Sequence, residues 1–360
     1  MSVHDPSAAR KPRRLGLYLP FLLALAAAAA WSGFWLWARG QVETQMDAAA
    51  AGLGHAGYQV SWSRRTVQGY PFRLYVTLAD ARIREPSGWG LEAPVLEGEA
   101  FAYAPGHWML ATPQGLTFVR PVAGPVAVSG RLMRASLADF GKSPPSLDLQ
   151  GVDLAFQPAP GAQPFALTAA DLLELHLRAG PDDQGGVFVQ LTGGRARLEG
   201  LFGRIAGGKP ISLTWNSTLS RMSAFAGADW ADAVRRWTDA GGTMTVRDSS
   251  QLLAGDALAQ VRSGTLTADH DGRLSGALTV ALRQAPQALG AMAASGAVPP
   301  AAAQAAGAAT TARQPGEVTQ AVIRFQSGQT RLGPVAIGPA PRVYSPPPGA
   351  GPQVAARPGD

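Results

Sequence analysis

The sequence predicts a mainly β protein (β-rich α+β): one N-terminal transmembrane helix, then extended antiparallel sheet with a few short helices. Three observations predict it. An uncharged apolar run of 23 residues begins at Leu15 and ends at Trp37. Beyond it, apolar and polar residues alternate in one segment after another. Helical spacing is confined to a few short stretches.

The run reads LGLYLPFLLALAAAAAWSGFWLW. A hydrocarbon core of about 30 Å needs about 20 residues at 1.5 Å rise each, so this stretch is long enough to cross. Arg10, Lys11, Arg13 and Arg14 precede it. The positive-inside rule holds this basic tail (1–14) in the cytoplasm and sends the main domain across. A cleavable signal peptide has a shorter apolar core, about 7–15 residues. Here the run continues through Trp31, Phe34, Trp35, Leu36 and Trp37, which favours an uncleaved anchor with an aromatic belt at its exit.

A juxtamembrane helix is expected over 38–57. Its 41–55 part is rich in Ala, the best helix former, and Val42, Met46, Ala49 and Leu53 keep near-helical spacing. The period then changes to two. Tyr58, Val60 and Trp62 alternate with polar residues, as do Leu74, Val76 and Leu78. Leu173, Leu175 and Leu177 repeat the pattern, followed by Val187, Val189 and Leu191, and by Ile211, Leu213 and Trp215. Leu278, Val280 and Leu282, then Ala321, Ile323 and Phe325, complete it. Asp271-Gly272 between two such runs signals a type I′ hairpin. Near Gly151 the alternation Leu147, Leu149 resumes as Val152, Leu154, Phe156, the mark of a bulge.

Residues 228–239 are expected to be helical, with Trp230, Val234 and Trp237 on one stripe, and 284–294 is a second candidate. The β-rich domain spans 58–345, with room for two subdomains and a flexible Ala/Gly/Pro loop at 299–315; 346–360 is a disordered Pro-rich tail. Periodicity leaves two architectures open. One is a sandwich or barrel with its apolar faces packed together. The other is a curved open sheet with an apolar concave face.

Composition removes several functions. There is no cysteine, hence no disulfide framework and no thiolate metal ligand. Past the anchor, 27 Lys and Arg face 24 Asp and Glu, scattered along the chain, without the basic face that nucleic acid requires. His4, His55, His107, His176 and His270 lie far apart, with no H-E-x-x-H. No nucleophile motif stands in a convincing setting. No catalytic, cofactor or metal residue is assigned, no cofactor is expected, and the chain is read as a non-enzyme.

One set of pieces is distinctive. Trp31-Ser32-Gly33-Phe34-Trp35 closes the anchor. Ser61-Trp62-Ser63 leads to Gly69-Tyr70-Pro71-Phe72-Arg73. Leu332-Gly333-Pro334-Val335 and Gly338-Pro339-Ala340-Pro341 stand near the end. The set resembles the bacterial domain-of-unknown-function 2125 family over about 30–342, and more loosely AsmA-like envelope proteins. The resemblance implies a bacterial inner-membrane protein, single-pass, with its main domain in the periplasm. It implies no activity. In the Gly69–Tyr70–Pro71–Phe72–Arg73 stretch, Gly69 and Pro71 predict a tight corner. Phe72 is expected on the apolar face and Arg73 on the wet face, where it is a candidate ligand contact.

Two functions follow as expectations. In the first, the protein binds or handles a phospholipid or other envelope lipid on an apolar sheet face. In the second, it is an envelope scaffold that contacts a protein partner, which a cluster of Trp89 with His107 and Trp108 would favour.

Overall fold

The computed structural model describes residues 15–142, 144–196, 208–255, 257–283, 319–333 and 335–344. The expected basic tail, the candidate helix at 284–294, the loop at 299–315 and the tail at 346–360 lie outside the described residues.

The chain opens with α1 (Leu15–His55), 41 residues without a break. Anchor and juxtamembrane helix are therefore one element. No proline stands between Pro20 and Pro71 to stop it, and the change of polarity at Arg39 marks a change of surroundings only. Residues 18–30 are exposed throughout. Among the described residues, α1 is the one helix long and apolar enough to cross a membrane. Its distal half is docked, with Trp35, Ala38 and Val42 buried.

The strands form one antiparallel meander. β1 (Gln59–Ser61) and β2 (Arg64–Gln68) together make the first edge, both paired to β3 (Arg73–Arg84). β4 (Gly90–Phe101) follows, then two split rows, β5 (Ala104–Ala111) with β6 (Leu116–Val119), and β7 (Val126–Ser129) with β8 (Leu132–Ala138). The middle rows are β9 (Ser146–Pro158), β10 (Leu167–Ala179), β11 (Gly185–Ala196) and β12 (Ile211–Leu219). A third split row, β13 (Met244–Val246) with β14 (Gln251–Ala254), leads to β15 (Ala257–Ala268) and β16 (Leu274–Arg283). β17 (Thr319–Gln326), β18 (Gln329–Leu332) and β19 (Val335–Pro339) end the sheet. Among the described residues the two edges do not pair with each other, so the sheet is open.

It is also strongly curled. Seven spacings separate β3 from β12, about 34 Å in a flat sheet at about 4.8 Å per strand. Yet the backbone N–H of Trp230, eleven residues past β12, lies 3.4 Å from Glu85 Oε2, just past β3. The Tyr58 phenol sits at the same seam, its pKa raised by burial first and then by the Glu85 and Asp229 carboxylates.

The slip near Gly151 belongs to a crease that crosses six rows. Asp80 in β3 and Asp153 in β9 both have positive φ (49° and 53°), and both drop out of their ladders. The breaks between β5 and β6 and between β7 and β8 fall on the same line, as do Asp171 in β10 and Gly193 in β11. A left-handed residue resets the period of two. Buried positions accordingly change parity there: Leu74 and Val76 before Asp80, Ala81 after it; Gly151 before Asp153, Leu154 and Phe156 after it. The apolar face thus stays on one side of a bent sheet. Gly193 has φ 61°, and a Cβ there would fall 2.0 Å from Asp171 Oδ2, so this position needs glycine.

The Asp271-Gly272 hairpin forms but is not type I′. Positive φ falls on Gly272 and not on Asp271. Gly272 N–H donates to Asp269 C=O, and the Asp269 carboxylate accepts from the N–H groups of Asp271 and Arg273. This is a type I turn followed by a left-handed glycine, selected by the Asp269 side chain.

α2 (Trp230–Asp239) starts at Asp229, whose carboxylate accepts from the Asp232 N–H at 2.8 Å. Val234 and Trp237 are buried against Ala268 and Tyr344. Trp230 is 48% exposed, off the expected stripe, because its indole N–H reaches Val343 C=O at 2.9 Å instead.

Candidate functional site

Three of the distinctive sequence pieces meet in space, those holding Trp35, Trp62 and the corner; the two near the end belong to β18 and β19 at the other edge of the sheet. The chain turns at Gly69, where the Arg73 N–H closes on the Gly69 carbonyl at 2.9 Å. Gly69 has φ 107°, and a Cβ would strike the Arg73 carbonyl oxygen at 2.7 Å. The middle of α1 seats itself on this corner. Trp31 Nε1 donates to Pro71 C=O and Trp35 Nε1 to Arg73 C=O, both at 2.8 Å. The Ser32 and Tyr70 hydroxyls are 2.9 Å apart, and Tyr70 meets Trp35 edge-on at 5.6 Å. Leu74, Val76 and Leu78 then pack on Trp35, Ala38 and Val42. Farther along, Arg65 grips Asp47 with two hydrogen bonds of 2.6 and 3.0 Å. That contact holds the Asp47 carboxyl below its ordinary range, the hydrogen bond from Arg65 being the larger cause.

Phe72 does not enter the core. It is 60% exposed, because the corner projects past the end of β3 where Leu74 begins the buried face. Arg73 lies on the wet face, as expected, where it pairs with Glu99 and stands over the Phe101 ring at 5.7 Å.

A family model for an uncharacterised protein conserved in bacteria, DUF2125, matches residues 35–341. The chain belongs to that family. The match takes in Trp35, the corner and, among the described residues, all nineteen strands of this DUF2125 chain. No curated protein and no solved structure matches it.

The registers of this DUF2125 sheet join the alternating residues into one apolar face. Val76 pairs with Gly98, Gly98 with Leu110, and Leu110 with Ala135. Ala135 pairs with Leu149, Leu149 with Leu175, Leu175 with Val189, and Val189 with Trp215. This line crosses eight strands. Its ends are covered: α1 lies over β2 to β5, and Trp215 packs into the cluster of Val246, Val261 and Leu278. Between them the cover thins. Leu175, Leu177, Val187 and Val189 are only half-buried, and Leu149 is 41% exposed.

The opposite face is polar and internally satisfied. Asp148 accepts two 2.6 Å hydrogen bonds from Arg178 and lies 2.6 Å from His176 Nδ1. Gln150 donates to Glu174 at 2.7 Å, and Ser136 lies 3.0 Å from His107 Nε2. Among the described residues no three His, Asp or Glu side chains gather as a metal site would need. The sequence marked these positions only as a polar strand face, since cross-strand partners depend on register. Trp89 stacks on Phe118 at 5.3 Å, while Trp108 packs toward the α1 core and His107 faces the polar side. The three do not cluster.

The Arg178 hydrogen bonds hold the Asp148 carboxyl below its ordinary range, against burial. A lowered folded pKa stabilises above the unfolded value, about 3.9, and is lost as pH falls through the folded one. Asp148→Asn is therefore expected to lower the thermal midpoint at pH 7 and to match the parent progressively below about pH 4. Midpoints measured across this range in detergent check it.

Proposed function

We propose that this chain is a non-enzymatic, inner-membrane-anchored periplasmic protein that holds lipid acyl chains against its half-open apolar face. The carrying observation is the thinly covered stretch from Leu149 to Val189, on a face whose two ends are packed. The exposed apolar half of α1 and the basic residues before it support the anchor and its direction.

Removing methylenes from water is worth about 0.8 kcal/mol each, so about ten of them on this face are worth roughly 8 kcal/mol. The bilayer offers the same chain a similar gain. Exchange between membrane and protein is then close to balanced, which suits reversible loading rather than storage.

Native mass spectrometry of the full chain released from nanodiscs of phosphatidylethanolamine and phosphatidylglycerol tests this. The parent is expected to carry discrete phospholipid adducts. Val189→Arg on the apolar face should lose them, and Thr192→Arg on the other side of β11 should keep them. Equal adducts in all three would count against the reading.

A further inference from the structure

The corner and the neighbouring β4–β5 turn gather exposed aromatic side chains, apart from the apolar face. α1 and β3 rise side by side. From Trp35, bonded to Arg73, to Asp47, bonded to Arg65, the helix climbs about 18 Å at 1.5 Å per residue. Arg65 is paired with Leu78, and from Arg73 to Leu78 the strand climbs about 17 Å. The corner is thus the end of the domain nearest the exposed half of α1. Its depth follows from the two indole bonds, which set Pro71 level with Trp31 and Arg73 level with Trp35. Twenty residues from Leu15, about 30 Å of helix, end at Phe34.

The side chains at this level are aromatic and open. Tyr70 is 56% exposed, Phe72 60%, Phe101 46% and Tyr103 61%. Phe101 is the register partner of Arg73, and Tyr103 stacks on it at 5.1 Å. The charged groups among them, Arg73 and Glu99, neutralise each other. Aromatic side chains with an adjacent polar group partition to the headgroup boundary of a bilayer.

We infer that Tyr70, Phe72, Phe101 and Tyr103 insert into the outer headgroup–acyl boundary, seating the domain directly on the membrane. The inference rests on α1 crossing the bilayer, as proposed above. It gives the domain a fixed height, with the α1-covered end of the apolar face standing over the leaflet.

The chain has no cysteine, so single cysteines at Phe72, Tyr103, Ile83 and Leu25 can each carry an NBD fluorophore in the full-length protein. Each protein is placed in phosphatidylcholine/phosphatidylglycerol vesicles containing lipids doxyl-labelled near the headgroup or deep in the chain. The expected result is strong quenching at 72 and 103 by the shallow label and none at 83, the far end of β3. Position 25 should be quenched by the deep label. Unquenched 72 and 103 with a deeply quenched 25 would overturn the seating and leave the anchor standing. An unquenched 25 would overturn the anchor and the seating together.

Discussion

Trp35→Ala is expected to destabilise the folded domain by about 3–5 kcal/mol, the range for losing a large buried aromatic. Trp35 is 5% exposed, although it belongs to an apolar run whose residues 18–30 are bare. Its ring belongs to the buried cluster of Val67, Leu74 and Val76, meets Tyr70 edge-on, and its N–H donates to the Arg73 carbonyl. Alanine would open a cavity in the seam between α1 and the sheet. Trp35→Phe keeps an aromatic ring in the site but loses the hydrogen bond and part of the packing, for about 1–3 kcal/mol. Protease-resistance midpoints of the full chain in detergent should rank parent, Phe and Ala in that order. An alanine variant as resistant as the parent would show that α1 is a tether only.

Arg120→Met is expected to cost about 2–3 kcal/mol, since a carbonyl left unpaired away from water costs about 1–3 kcal/mol and the exposed ones at Gln163 and Pro164 regain water. Arg120 follows β6 and is 8% exposed. Its guanidinium donates to the carbonyls of Ala123 and Gly124, both at 2.9 Å, Gln163 at 2.6 Å and Pro164 at 3.2 Å. It also lies 5.6 Å from the centre of the Phe165 ring. One side chain therefore ties the β6–β7 turn to the β9–β10 connection, over the cluster of Val126 and Phe156. Arg120→Lys keeps the charge but loses the planar fork, and should fall between parent and Met. Thermal unfolding of the three proteins in one detergent measures the ranking.

Much of this fold can be read from the chain. The Leu173–Leu175–Leu177 and Val187–Val189–Leu191 alternations are β10 and β11, and the charge-free run is the exposed half of α1. What could not be read depends on long-range geometry. A period of two is the same in a sandwich and in a curled open sheet, so only pairings separate them. The crease shows in sequence at Gly151 because large apolar residues flank it. At Asp80 the residue that changes side is Ala81, too small to leave a signal. The Trp31 and Trp35 indoles read as an interfacial belt, and their bonds to a corner some 40 residues away are invisible without the fold. Arg120 looked like one more scattered cation. Its partners are backbone carbonyls, which carry no mark in a sequence.

The open stretch of the apolar face is tested most directly by photo-crosslinking in living bacteria. p-Benzoylphenylalanine would replace Leu149 on that face, or Thr192 on the opposite one, in the full-length chain. Irradiation is expected to give a phospholipid adduct at 149, identified by mass, and none at 192. A protein adduct at 149, or no adduct at all, would contradict lipid occupancy of this face.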